Sequence, residues 1–311
     1  MSSQPQPAAS STVRARSRLA LRWYTWFSLM VGIACVVAVV MHWDDRGLLW
    51  VAERFAPKSE QAEAIWLPHY RVAIDAKALP GMEDDEASDV SYDPATKTLF
   101  SVMGKHPFLV QLTLQGDVLR KIPLNGWSNP EAVTVMGNGR LAIVDERSHL
   151  LSVVTLDDTT RTLDLADFPK YDLGPSANQN KAFEAVAWDA KNQRLLLGEE
   201  RPARLFSLKV GENGQIKGDK QPLDNVEFDM RNLSALTVDP RTGHILALSA
   251  DSHLLLELDE KGEQVSFITL LGGFNGFADT VPRAEGVAID DQGMLYLVSE
   301  PNFFYALKKR E

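Results

Sequence analysis

The sequence has one cysteine in 311 residues, Cys35. It lies inside the longest apolar run, so the remainder of the chain has no thiol. That excludes cysteine catalysis, cysteine–zinc sites and intrachain disulfides. Histidine is also scarce, at six. His106, His149, His244 and His253 fall in loops or strand ends with no HExxH spacing, so a zinc site is not expected. His149 reads as a solvated turn residue. Basic charge is in deficit, with 32 Lys and Arg against 42 Asp and Glu and a formal net charge of −10. A phosphate-neutralising nucleic-acid surface is therefore excluded. No G-x-S-x-G elbow is present, and neither Ser88 nor Ser234 has a histidine nearby in sequence, so a serine nucleophile has no support. The glycines of LLGGFNGF (270–277) follow a strand and open no helix, so they do not form a phosphate loop.

One long hydrophobic run is present. Residues 1–22 form a basic tail carrying Arg14, Arg16, Arg18 and Arg22, with no acidic residue before Asp44. Residues 23–43 contain no Asp, Glu, Lys or Arg and are long enough to cross about 30 Å of hydrocarbon. Trp23, Tyr24, Trp26 and Trp43 suit the two interfaces. A single transmembrane helix is expected, with the N-terminus cytoplasmic and the bulk of the chain periplasmic, on the outer face of a bacterial inner membrane. A cleaved signal peptide and a lipoprotein signal at Cys35 are the alternatives. The first lacks an A-x-A site. The second has Gly32 three residues before the cysteine and apolar VVAVV after it. Residues 44–68 read as a helical stalk or linker.

The remainder, 69–311, repeats itself. ASDVSYD, PEAVTVM, FEAVAWD, LSALTVD and AEGVAID begin five similar units. Their second residues, Ser88, Glu131, Glu184, Ser234 and Glu285, are 43, 53, 50 and 51 residues apart. That period fits a propeller blade of four short strands. The fold expected is all-β, a five-bladed β-propeller, with six blades as the alternative. The last unit has only three strands, and the orphan YRVAID (70–75) is expected to complete it and close the ring. DLADFPKYDLGPSANQN (164–180) reads as a rim loop. Trp127, Trp188, Phe303, Phe304 and Tyr305 read as inter-blade core.

In such a ring, equivalent positions converge near the axis. Glu131, Glu184 and Glu285, with Ser88 and Ser234, start the innermost strands. Glu146, Glu200, Asp251 and Glu300 end the second strands, where the first blade has Gly104. Carboxylates gathered this way repel unless a cation or protons intervene. An all-oxygen set favours a hard ion, Ca²⁺ over Mg²⁺ where the frame is rigid and wide. The competing structural reading is that these side chains join blades by accepting backbone N–H bonds. Arg147 and Arg201 read as partners of the adjoining carboxylates, or as holders of an anionic ligand.

NPEAV…LAIVDER, NLSALTVDPRTGHILALS and AEGVAID…LYLVSEPN, taken in order, resemble the SdiA-regulated family over about 70–307. The resemblance implies a five-bladed propeller with a calcium site and no established enzymatic activity. It places the metal on Glu131, Glu184 and Glu285, with Ser88, Ser234, Glu146, Glu200, Asp251 and Glu300 as outer or rim groups. Two functions follow. One is a non-catalytic, membrane-tethered binding or scaffold module for an envelope protein, peptide or glycan, on the rim bearing residues 170–180. The other, prompted by the EGVAI motif shared with gluconolactonase-like propellers, is a metal-dependent hydrolase of lactone or ester type.

Overall fold

The computed structural model describes residues 14–40, 43–174, 183–223, 226, 228 and 230–310. The chain divides into two units, Met1–Leu48 and Leu49–Glu311. In the first unit, Arg14–Val40 is one α-helix. Its side chains are described over 22–38, and those from Arg22 to Val37 are all exposed. No helix among the described residues is long and apolar enough to cross a membrane.

The second unit contains a five-bladed all-β propeller, and the six-bladed arrangement is not observed. Blade one runs from Ala87–Asp93 through Thr98–Met103 and Phe108–Leu112 to Val118–Asn125, and Leu163–Asp164 adds in parallel to its outer edge. Blade three is built from Phe183–Asp189, Arg194–Glu199, Arg204–Val210 and Ile216–Pro222. Blade four is Ala235–Val238, Ile245–Ser249, Leu254–Leu258 and Gln264–Thr269. In blade two, the strands Pro130–Gly137, Arg140–Asp145 and Leu150–Thr155 are completed by Lys170–Asp172. Part of the expected rim loop is therefore that blade's outer strand, preceded by a short 3₁₀ turn, Leu165–Asp167. Three residues are too few to show an alternating pattern, which hid the strand. Residues 175–180 of the same stretch lie outside the described residues.

Blade five joins the two ends of the domain. Tyr70–Ala78 pairs antiparallel with Phe303–Lys309, from Tyr70 opposite Lys309 to Ala78 opposite Phe303. This is the closure expected for the orphan strand, and it extends to Ala78.

Alternation explains why the middle strands read as unbroken apolar runs. Both faces of each blade are covered, as a buried sheet requires. In blade one, Leu99 and Val110 pack against Tyr296 and Val298 of blade five, while Phe100 and Leu109 pack against Ile143 and Val154 of blade two. Three further apolar layers fill the other gaps, between blades two and three, three and four, and four and five.

The segment read as a stalk is helical over Trp43–Phe55 and Lys58–Glu63. It ends docked on blade four. Ile65, Trp66 and Leu67 are buried. The Ile65 and Trp66 N–H groups donate to the two oxygens of Glu257 at 2.8 and 2.9 Å, and Leu67 N–H donates to Ser266 Oγ at 3.0 Å. Glu257 is fully buried and also meets His244 Nδ1 at 2.7 Å.

Candidate functional site

Four of the five blades begin with the same local irregularity. Blade one pairs Ala87 with Met103 and then Asp89 with Val102, so Ser88 is an extra residue on the inner strand. The same skip isolates Glu131, Glu184 and Glu285 in blades two, three and five. In blade four the paired strand begins at Ala235 opposite Leu248, and Ser234 N–H donates to the Leu248 carbonyl as well, at 2.9 Å. Bulges of this kind re-aim a side chain and often sit beside functional sites. Here the four bulge residues are four of the five repeat positions that the sequence aligns, and Ser234 is the fifth.

The second ring differs in one member. The residue that follows each second strand is Gly104, Glu146, Glu200, Ala250 and Glu300. Asp251, expected in this ring, sits one position further along the turn, beside Arg147 and Arg201 in the repeat. It is exposed and pairs with Arg201. The four-residue turns of blades two and four align only when Ala250 takes the ring position, a one-residue offset that composition alone did not reveal. With that correction the site acquires a pattern. Blades two, three and five each supply two glutamates, and blades one and four each supply a serine with a Gly or Ala.

A third set of residues, two before the aligned position in blades two, four and five, completes the mouth. Asn129 Nδ2 donates to Glu131 Oε1 at 2.7 Å and to Glu146 Oε2 at 3.1 Å. Asn232 Nδ2 donates to Ser234 Oγ at 3.0 Å and reaches Glu200 Oε1 at 3.5 Å. Arg283 donates from Nε to Glu285 Oε1 at 3.1 Å and places a terminal nitrogen 3.2 Å from Glu300 Oε1. The signal for these residues was available, since each precedes an aligned position by two in the repeat. Gly104 has a steric reason to lack a side chain, because a Cβ there would stand 2.8 Å from Ser88 Oγ and 3.3 Å from Glu131 Oε1.

Burial and mutual repulsion govern the charges. Glu131 is pushed up to about 8, first by burial and then by Glu146 and Glu285, with Ser88 and Asn129 offsetting part of the rise. Glu184 is pushed up to about 9 by burial and by Glu200, Glu146, Glu131 and Glu285. Glu285 rises to about 7, with burial ahead of the lowering pull of Arg283. Burial also raises Glu300, against Arg283. Among the described residues Glu184 accepts no hydrogen bond. The three glutamates thus feel one another across the mouth. Among the described residues, no three Asp, Glu, His or Cys side chains are grouped tightly enough to hold an ion as they stand. Glu131 is turned to Asn129, and Glu285 to Arg283.

The blade-joining role expected as the alternative belongs to a different residue. Asp89, directly after the first bulge, is fully buried. Its carboxylate accepts Val90 N–H at 2.7 Å and Val133 N–H of blade two at 2.8 Å, and Val287 N–H of blade five also bonds to it. The other blades have Ala or Gly at this position, so repetition could not reveal it.

The remaining candidates settle into structural places. Arg201 lies 3.2 Å from Glu200 Oε1, so it adjoins the carboxylates as expected, and Arg147 is exposed. His149 lies in a turn, as expected, and is half-exposed. Its Nδ1 is buried, on a left-handed turn with φ of 52°. Trp127, Phe304 and Tyr305 are core, and Phe303 is partly buried against it. Trp188 is half-buried and lines a cavity of about 320 Å³ at the opposite mouth with Tyr92, Thr134 and Thr237.

Residues 62–308 match the family described as SdiA-regulated. Among solved structures, the calcium-binding protein regucalcin from Agrobacterium tumefaciens aligns with a TM-score of 0.51 and 12% identity, over 79% of this chain and 96% of that one. A luciferin-regenerating enzyme aligns with a TM-score of 0.48 and 10% identity, over 78% and 95%. The likeness to regucalcin supports the propeller fold.

Proposed function

Because the chain belongs to the SdiA-regulated family, we propose that it is a membrane-anchored periplasmic propeller that holds Ca²⁺ at its acidic mouth and serves as a binding module. The observation that carries the calcium reading is Glu184. A half-buried carboxylate that accepts no hydrogen bond among the described residues, facing four others, is costly to ionise without a cation. Glu131, Glu184 and Glu285 would hold the ion, with the Ser88 and Ser234 hydroxyls beside them. The donor set is all oxygen and suits a hard cation. The calcium-binding character of regucalcin, a protein of the same broad fold, is consistent with this choice.

The anchor is supported by the apolar run of 23–43 and by the exposure of Trp23, Trp26, Met30, Ile33 and Val36 along one side of their helix and of Tyr24 and Val31 on another. The arginines before it support a propeller outside the cytoplasm. The partner is an envelope protein, peptide or glycan.

Calorimetric titration of the purified chain with Ca²⁺ and with Mg²⁺ tests the site. One equivalent of Ca²⁺, lost in Glu184→Gln, is the expected result. No heat with either ion removes the calcium reading. Turnover of lactones or esters with Ca²⁺, Mn²⁺ or Zn²⁺, abolished by the same substitution, would replace the binding module with a hydrolase.

A further inference from the structure

The helix Trp43–Phe55 has two unlike faces in the part that belongs to the propeller unit. One is docked. Leu49 packs against the apolar layer between blades three and four. Glu53 Oε1 accepts the N–H of Phe267 at 2.7 Å, on the outer strand Gln264–Thr269 of blade four. That N–H belongs to an open sheet edge, so the helix covers a surface that would otherwise pair with another strand. The other face is bare. Trp50 is 56% exposed, Val51 45% and Phe55 80%. Leu119 and Phe274 are the other large apolar side chains exposed in this unit, among the described residues, and they stand far apart in sequence.

We propose that this face lies in the headgroup region of the bilayer, so that the helix is an interfacial element that sets the orientation of the propeller. The inference rests on the membrane anchor proposed above. Chain length commits the occupant to lipid. Trp43 opens the helix three residues after Val40 closes the apolar one, a reach of at most roughly 11 Å. An inserted span therefore delivers the 13-residue helix, roughly 20 Å long, to the membrane surface. The side chains suit that depth. The Arg54 guanidinium lies over the Trp50 ring at 5.6 Å from its centre, which pairs an amphipathic aromatic with a cation that reaches the phosphates. The helix needs little affinity of its own, because the span supplies the attachment.

The test uses the full chain with Cys35→Ala, reconstituted in vesicles of phosphatidylcholine and phosphatidylglycerol. A polarity-sensitive fluorophore is attached at Phe55→Cys or Val51→Cys, and at Glu212→Cys on an exposed turn of blade three as the aqueous reference. The label at 55 or 51 should emit to the blue of the label at 212. It should be quenched by brominated lipid and spared by aqueous iodide, with the reverse at 212. Equal iodide quenching at 55 and 212, with the chain retained on vesicles through an alkaline wash, overturns the interfacial contact and leaves the anchor standing. Shielding from iodide without bromolipid quenching also overturns it, since a second copy then covers the face. Loss of the chain in the alkaline wash refutes the anchor itself, and this inference with it.

Discussion

Removing one charge from the mouth should stabilise the protein without calcium and weaken it with calcium. Glu184 carries this prediction best, because burial and four neighbouring carboxylates hold its pKa at about 9. In the unfolded chain the value returns to about 4.5. A carboxyl raised in this way imposes no penalty below pH 4.5. The penalty then grows with pH until the folded value is reached. At pH 7.5 the difference spans about 3 pH units, or about 4 kcal/mol at 1.36 kcal/mol per unit. Part of the repulsion relaxes into the other four carboxylates, so about 2 kcal/mol is expected from Glu184→Gln. In a domain of this size that is a rise of about 4–8 °C in melting temperature. Excess Ca²⁺ should reverse the order, since an ion at 100 times its Kd adds about 2.7 kcal/mol to the wild type alone. The assay is differential scanning calorimetry of both proteins in chelator and in excess Ca²⁺, from pH 5 to pH 9. Without calcium the gap between variant and wild type should widen as pH rises. A variant no more stable than wild type in chelator, or one that gains equally from Ca²⁺, refutes the reasoning.

Two further substitutions probe the frame around the site. Gly104→Ala should cost about 1–3 kcal/mol and depress Ca²⁺ affinity, because its Cβ would press on Ser88 and Glu131; an unchanged calorimetric titration would contradict that packing. Glu257→Ala leaves the buried Ile65 and Trp66 N–H groups without their acceptor, so a loss of about 3–5 kcal/mol is expected, read by denaturant unfolding. The partner of Glu257, His244, has its pKa raised chiefly by their hydrogen bond. That contribution is fully present below about pH 6.5 and disappears as pH rises through the folded value. His244→Gln should therefore lower stability at pH 5.5 and have little effect at pH 9.

Much of the propeller was legible because blades repeat. Spacings of 43 to 53 residues and a three-stranded last unit implied both the blade count and the closing strand. The bulge residues were legible for the same reason, since five chemically similar positions recur. What repetition could not show is whatever occurs once. Asp89 stands alone among Ala and Gly equivalents. Glu257 looks like any charge in an apolar strand until the N-terminal segment folds back onto it. Asp251 misled because acidic residues occupy neighbouring positions in the turn, and only the strand register separates Ala250 from it. Asn129, Asn232 and Arg283 differ in chemistry while sharing a position, so likeness between repeats does not mark them. The docking of Ile65, Trp66 and Leu67 depends on a contact some 190 residues away, beyond any local pattern.

The central claim is that glutamates from three blades meet around one axis and share a cation. Anomalous diffraction from crystals grown in Ca²⁺ addresses this directly. A peak is expected at the mouth within about 2.4 Å of carboxylate oxygens from Glu131, Glu184 and Glu285. A mouth without such a peak, in protein saturated with calcium, would contradict the claim.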